Sequence, residues 1–168
     1  MTDADTSQYG RTMLILFWVG LVAVLLWAFS DYLDQRRRVE SSETGTYKEV
    51  LLNSSRGGHY IANGEINGQP VRFMVDTGAT LVSIPATVAR DLGLRGEGKG
   101  VAQTAGGPIE VRYTLLDRVR LGNIELENVP ASINPDMPGI DEVLLGMSFL
   151  RELEVTHRNN ELRVRQYN

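Results

Sequence analysis

Cysteine is absent from the 168-residue chain. No disulfide framework, thiol nucleophile or thiolate metal site can be built without it. Histidine is nearly as scarce, with His59 and His157 alone. That excludes a histidine-rich zinc centre and leaves a Ser-His-Asp arrangement short of candidates. A strong charge of one sign is also missing: 17 Lys+Arg face 21 Asp+Glu, for a formal net charge of −4. Such a chain has no overall basic footprint for nucleic acid. Its length holds one ordinary domain, or a smaller domain with an appendage. A small hydrolase, a binding module and a membrane-tethered accessory protein remain open.

The apolar residues are gathered unevenly. Residues 13–29 read MLILFWVGLVAVLLWAF, without a charge. At about 1.5 Å per residue, 17 to 20 such residues just span a hydrocarbon core of roughly 30 Å. Tyr9 on one side and Trp27, Phe29 and Tyr32 on the other suit interfacial depth. The expectation is an N-terminal flank over residues 1–12, a transmembrane helix over 13–30 contacting the lipid bilayer, and a polar tether over 31–47. Ala28-Phe29-Ser30 resembles a cleavage site, but the run exceeds a signal core and its leader is acidic apart from Arg11 and the amino terminus. A retained anchor is therefore expected. Arg36, Arg37 and Arg38 follow the span, whereas Arg11 alone precedes it. That count places the C-terminal side in the cytoplasm.

From about Lys48 the texture changes to short apolar runs broken by turn residues. Residues 59–65 and 71–75 flank Asn67-Gly68, a strong two-residue hairpin signal. Val71, Phe73 and Val75 alternate with Arg72 and Met74, the period of a strand with one buried face. Further strands are expected over 81–84, 101–104, 109–116, 118–121, 124–129, 143–145, 152–156 and 162–164. Pro85 opens a short helix ended near Gly93, and residues 147–150 suggest one helical turn. Residues 96–100, Gly-Glu-Gly-Lys-Gly, read as a plain loop. Many short strands with regular turns imply an all-β closed barrel or sandwich over residues 48–168, with one or two short helices.

One constellation carries chemistry. The apolar strand Phe73-Met74-Val75 runs straight into Asp76-Thr77-Gly78-Ala79-Thr80. A carboxylate at the end of a buried strand needs hydrogen bonds to its ionised form. Gly78 can turn the backbone tightly and bring its N–H to the carboxylate, while Thr77 can donate and accept. A bare Asp-Thr-Gly is equally an ordinary turn at a strand end. Its context here is an intervening hairpin at Ala105-Gly106-Gly107-Pro108, then Val143-Leu144-Leu145-Gly146 before a short helix.

In those residues the chain resembles the retropepsin-like aspartic proteases, and most closely their bacterial single-lobed members with an N-terminal membrane segment. The resemblance covers about residues 60–166 and implies the single-lobed acid-protease fold and aspartic endopeptidase activity. Asp76 would be catalytic, with Thr77, Gly78, Ala79 and Thr80 supporting its loop. Gln103, Thr104, Ala105, Gly106 and Gly107 would form a flap over the substrate, and Leu145 and Gly146 would pack beneath the site. Peptide hydrolysis of this kind needs a carboxylate to take a proton from water and a carboxylic acid to polarise the scissile carbonyl. Two carboxyls about 3 Å apart share one proton and fill both roles. Asp91, Asp117, Asp136 and Asp141 lack the Asp-Thr-Gly context, so a homodimer bringing two Asp76 together is the consistent solution. The implied partner is a protein or peptide substrate, with no metal, cofactor or nucleic acid. The resemblance also suggests a bacterial inner-membrane protein with a periplasmic catalytic domain, opposite to the arginine count. The alternative is a non-catalytic, membrane-tethered β domain that binds peptides or dimerises.

Overall fold

A computed structural model describes residues 3–35, 40–55, 57–104, 106–135, 137 and 141–167. The chain divides into two compact units, Met1–Arg38 and Val39–Asn168. The first contains α1, Asp3–Gln35, a helix of 33 residues. Side chains 13–29 are exposed along it apart from the half-buried Leu21, and they are apolar on every face. Among the described residues no helix is long and apolar enough to cross a membrane. Arg36, Arg37 and Arg38, on which the topology expectation turned, lie outside the described residues.

The second unit is almost wholly strand. In chain order it comprises β1 (Glu40–Thr44), β2 (Tyr47–Asn53), β3 (Ile61–Ile66), β4 (Gln69–Val75), β5 (Val82–Pro85), α2 (Ala86–Asp91), β6 (Gly98–Thr104) and β7 (Gly107–Leu121). Then follow β8 (Ile124–Asn134), β9 (Val143–Leu145), α3 (Met147–Leu150), β10 (Glu154–Arg158) and β11 (Glu161–Tyr167). One sheet has the order β1-β2-β11-β10, and the other β3-β4-β9-β5-β8-β7-β6. The second closes on itself because β3 also pairs antiparallel with the far half of β7, Gly64 opposite Leu121 and Ile66 opposite Val119. The closed sheet expected from the turn spacing is present.

Alternation sorts the side chains. Phe73, Val82, Ile84, Leu116, Val119, Val129, Ala131, Val143 and Leu145 are buried together, with Phe149 and Leu150 of α3 and Val50, Leu52 and Val164 of the smaller sheet. The hairpin turns fall at Asn67-Gly68, Gly122-Asn123 and Asn159-Asn160, and all of these residues except Asn123 have positive φ. Two-residue hairpin loops demand that conformation, so these turns set the register of their strands.

Several elements differ from the sequence expectation. Residues 40–44, assigned to a tether, form β1, and the domain begins there and not at Lys48. Every residue of β1 is exposed, so its pairing with β2 rests on backbone hydrogen bonds that hydropathy does not register. The strands expected over 109–116 and 118–121 are one 15-residue strand, β7, facing β8 along most of its length. The glycine-rich stretch is not a plain loop, since Gly98 and Gly100 lie in β6. A side chain at Gly96 would strike Arg112, and one at Gly100 would strike the Tyr113 ring.

Barrel closure rests on a glycine. A Cβ at Gly64 would collide with the Arg120 carbonyl and the Phe73 ring. Gly64→Ala is expected to destabilise the protein by roughly 1–3 kcal/mol, the usual cost of overpacking. A lowered urea midpoint at unchanged m would show it.

Candidate active site

β9 lies between β4 and β5, parallel to β4 and antiparallel to β5. Val75, the last residue of β4, is paired with Leu145, the last residue of β9. Residues 76–81, which join β4 to β5, must therefore cross over the C-terminal end of β9. The crossing is stitched by backbone bonds. The Asp76 N–H donates to the Leu145 carbonyl at 3.2 Å, the Met147 N–H to Ala79 at 2.8 Å and the Ser148 N–H to Thr80 at 2.9 Å. Gly146 is buried under the crossing, and a Cβ there would collide with the Leu81 carbonyl and press on that of Ala79. Leu145 and Gly146 thus lie beneath the Asp76 loop.

Within the loop, the Gly78 N–H donates to Oδ1 of Asp76 at 2.9 Å. The Ala79 N–H donates to the Asp76 carbonyl at 3.3 Å, which closes the turn. Upstream, the Val75 N–H donates to the Tyr60 carbonyl at 2.9 Å, so the residue before the aspartate is tied to the chain entering β3. Asp76 and Ala79 are half-buried, whereas Thr77, Gly78 and Thr80 are exposed. The outcome is a half-buried carboxylate at the end of a core strand, oriented by a backbone N–H and with no further hydrogen bond among the described residues. Such a group can accept a proton from water or share one with a second carboxyl. Of the other described aspartates, Asp91 ends α2, Asp117 lies in β7 and Asp141 precedes β9. None is hydrogen-bonded to the Asp76 loop. Asp136 lies outside the described residues.

Ser148 is a supporting residue that the sequence did not single out within the helical turn expected over residues 147–150. Its hydroxyl accepts the Val82 N–H at 2.9 Å in a buried setting. It therefore satisfies the first amide of β5, just beyond the loop. A serine two residues after Leu-Leu-Gly, next to the apolar Phe149-Leu150, was the available signal.

The hairpin of β6 and β7 carries the expected flap residues. Gln103 is exposed opposite Pro108, and Thr104 stands opposite Gly107. The Thr104 hydroxyl donates to the Gly107 carbonyl at 2.8 Å and accepts the Gly106 N–H at 3.2 Å, so the tip is closed by its own side chain. Gly107 has φ 106, a conformation that only glycine adopts without strain. Ala105 lies outside the described residues. No hydrogen bond joins this tip to the Asp76 loop among the described residues. The two histidines stand apart from the loop: His59 is exposed, and the His157 ring meets Tyr60 edge-on with centroids 5.6 Å apart.

Known proteins agree with this architecture. The family model described as "gag-polyprotein putative aspartyl protease" matches residues 62–152, from β3 to just beyond α3. An uncharacterized protein from the cobV 5' region of Sinorhizobium sp is 30% identical over 122 residues, covering 70% of this chain and 52% of that protein. An uncharacterized protein of Rickettsia prowazekii (strain Madrid E) is 28% identical over 130 residues, covering 76% of this chain and 54% of its own length. The chain thus spans about half the length of these curated relatives. The crystal structure of a retropepsin-like aspartic protease from Rickettsia conorii is similar in fold, with a TM-score of 0.63 at 24% identity, over 77% of this chain and 96% of that one. With the family match spanning the Asp76 loop, the β6–β7 hairpin and the glycine beneath the loop, the chain belongs to the retropepsin-like aspartic protease family.

Proposed function

We propose that this protein is a membrane-anchored aspartic endopeptidase that works as a homodimer, with one Asp76 from each copy. The observation that carries the reading is the half-buried Asp76 carboxylate, set at a strand end by the Gly78 N–H and with no further hydrogen bond among the described residues. One carboxyl cannot be acid and base together. Two of them sharing a proton can: the carboxylate takes a proton from water, and the other donates a hydrogen bond to the scissile carbonyl. The water oxygen then bonds to the carbonyl carbon. Collapse of that tetrahedral species breaks the C–N bond, and a proton passes to the leaving nitrogen. An extended peptide lying under the β6–β7 hairpin would gain strand-like hydrogen bonds from it.

The anchor belongs to the same reading. The apolar residues 13–29 form continuous helix within α1, and their side chains are uncovered. A helix apolar on all faces suits lipid better than water. With relatives in Sinorhizobium and Rickettsia, we place the chain in a bacterial inner membrane.

Asp76→Asn keeps size and polarity but removes the shared proton. Cleavage of a peptide library should fall to background while the circular dichroism spectrum stays unchanged; full activity in the variant would refute the peptidase reading. Mixing wild-type chains with excess Asp76→Asn chains should suppress activity beyond simple dilution, by forming dimers with one competent carboxyl. A strictly proportional loss would mean that each chain acts alone. For the anchor, the full chain should stay in the membrane pellet after alkaline carbonate washing, whereas a chain beginning at Glu40 should appear in the supernatant.

A further inference from the structure

The strand that ends in Asp76 has an outer face, turned away from the core. Along β4, Val71, Phe73 and Val75 lie in the core or pack against it, so Arg72 and Met74 stand on the opposite face. The Asp76 N–H continues the parallel ladder to the Leu145 carbonyl, and alternation sets Asp76 on the Met74 face. Met74 is paired with Leu144, which is paired in turn with Ser83 of β5. All three are half-buried, and neither Met74 nor Leu144 packs against the core. The Ser83 hydroxyl meets the Met137 sulfur at 3.8 Å, which brings Met137 alongside. Two thioethers and a leucine thus form an apolar strip beside the carboxylate, and methionine adapts readily to what lies on it.

One rung further from Asp76 the strip ends in charge. Nη2 of Arg72 and Oε1 of Glu142 are 2.8 Å apart. They extend the register in which Phe73 faces Val143 and Met74 faces Leu144. Among the described residues Arg72 is the one ion-pair partner of Glu142, and the exposed Asp141 beside it has none. Two carboxylates therefore stand against a single guanidinium, and the end of the strip carries an excess of negative charge.

We propose that Glu142 selects substrates with a lysine or arginine next to the scissile bond. The inference rests on the peptidase reading above and names its substrate class. A side chain entering beside Asp76 lies on Met74 and Leu144, and the ion pair stands one rung beyond, about 6.6 Å along the strands. Leucine or phenylalanine ends on the strip. A lysine or arginine buries its stem there and carries its charged end onward, as such side chains do at apolar borders. The second oxygen of Glu142 accepts from that end while Oε1 stays on Arg72. A glutamate in the same place is shorter, and it meets Asp141 and Glu142 together.

The test uses the full chain in detergent and fluorescent peptides of one frame, with Lys, Leu or Glu in turn at each central position. Binding is read by anisotropy on the Asp76→Asn chain, so that peptides are held without being cut. The lysine peptide should bind roughly tenfold tighter than the glutamate one. Glu142→Gln should bring that ratio close to one. Arg72→Glu combined with Glu142→Arg keeps an ion pair across the strands and should also abolish the lysine preference. The ratio is the readout, because a merely structural role for the pair would lower all affinities together. Equal affinity for the peptides, no binding at all, or a ratio that both variants leave in place would overturn the proposal. Cleavage by the wild-type chain is read separately. Lysine-selective binding without cleavage overturns the peptidase reading and upholds this specificity, whereas cleavage indifferent to charge does the reverse.

Discussion

The missing side chain at Gly146 is the constraint on which the rest of the site depends. Strands β4 and β5 are consecutive in the chain, yet β9 is inserted between them in the sheet. The connection carrying Asp76 must therefore climb over the end of β9. It does so at backbone contact, with the Ala79 and Leu81 carbonyls where a Cβ on residue 146 would sit. Contact at that distance lets three amides of residues 76, 147 and 148 find carbonyl partners across the crossing. A loop that would otherwise be a flexible turn becomes part of the barrel wall. Fixing it ahead of time is what a catalytic carboxylate requires, since a misplaced proton acceptor loses much of its effect.

The same insertion explains which parts of the fold were legible in the sequence. Local signals read well. Asn67-Gly68, Gly122-Asn123 and Asn159-Asn160 marked hairpins because only a few residue types tolerate the backbone these turns demand. Val71, Phe73 and Val75 showed a one-sided strand because the barrel has an interior. That β9 would wedge between β4 and β5 is a non-local fact with no periodic trace, and it reached the sequence reading only through the family pattern around Asp76 and Gly146. Strand β1 was missed for the opposite reason: it buries nothing, so its polar residues looked like tether. The glycines at 96 and 100 misled as well. They mark close approach of the Arg112 and Tyr113 side chains to the backbone, not chain freedom.

The site was likewise legible in its chemistry and only partly in its supports. Asp76 and Gly78 could be singled out from residue type, because a carboxylate and a tight turn each restrict the choice sharply, whereas Gly146 came only with the family resemblance. Ser148 could not be singled out. Serine has many roles, and the buried Val82 amide that it satisfies belongs to a strand 66 positions away.

The smaller sheet bears on how such a domain is put together. Strand β2, near the start of the domain, pairs along its length with β11, near its end, from Tyr47 opposite Tyr167 to Asn53 opposite Glu161. The ends of the domain thus satisfy one another within a single copy, and Val50, Leu52, Leu162 and Val164 reach the main core from this sheet. A monomer with its terminal strands paired can fold before it meets a second copy. In the proposed homodimer, association would then add an interface to a finished domain. Confinement to one membrane would raise the effective concentration of such domains without any new contact. In the proposed homodimer, tying assembly of the Asp76 pair to anchoring would keep single copies, with their lone carboxyl, inert until they share a surface.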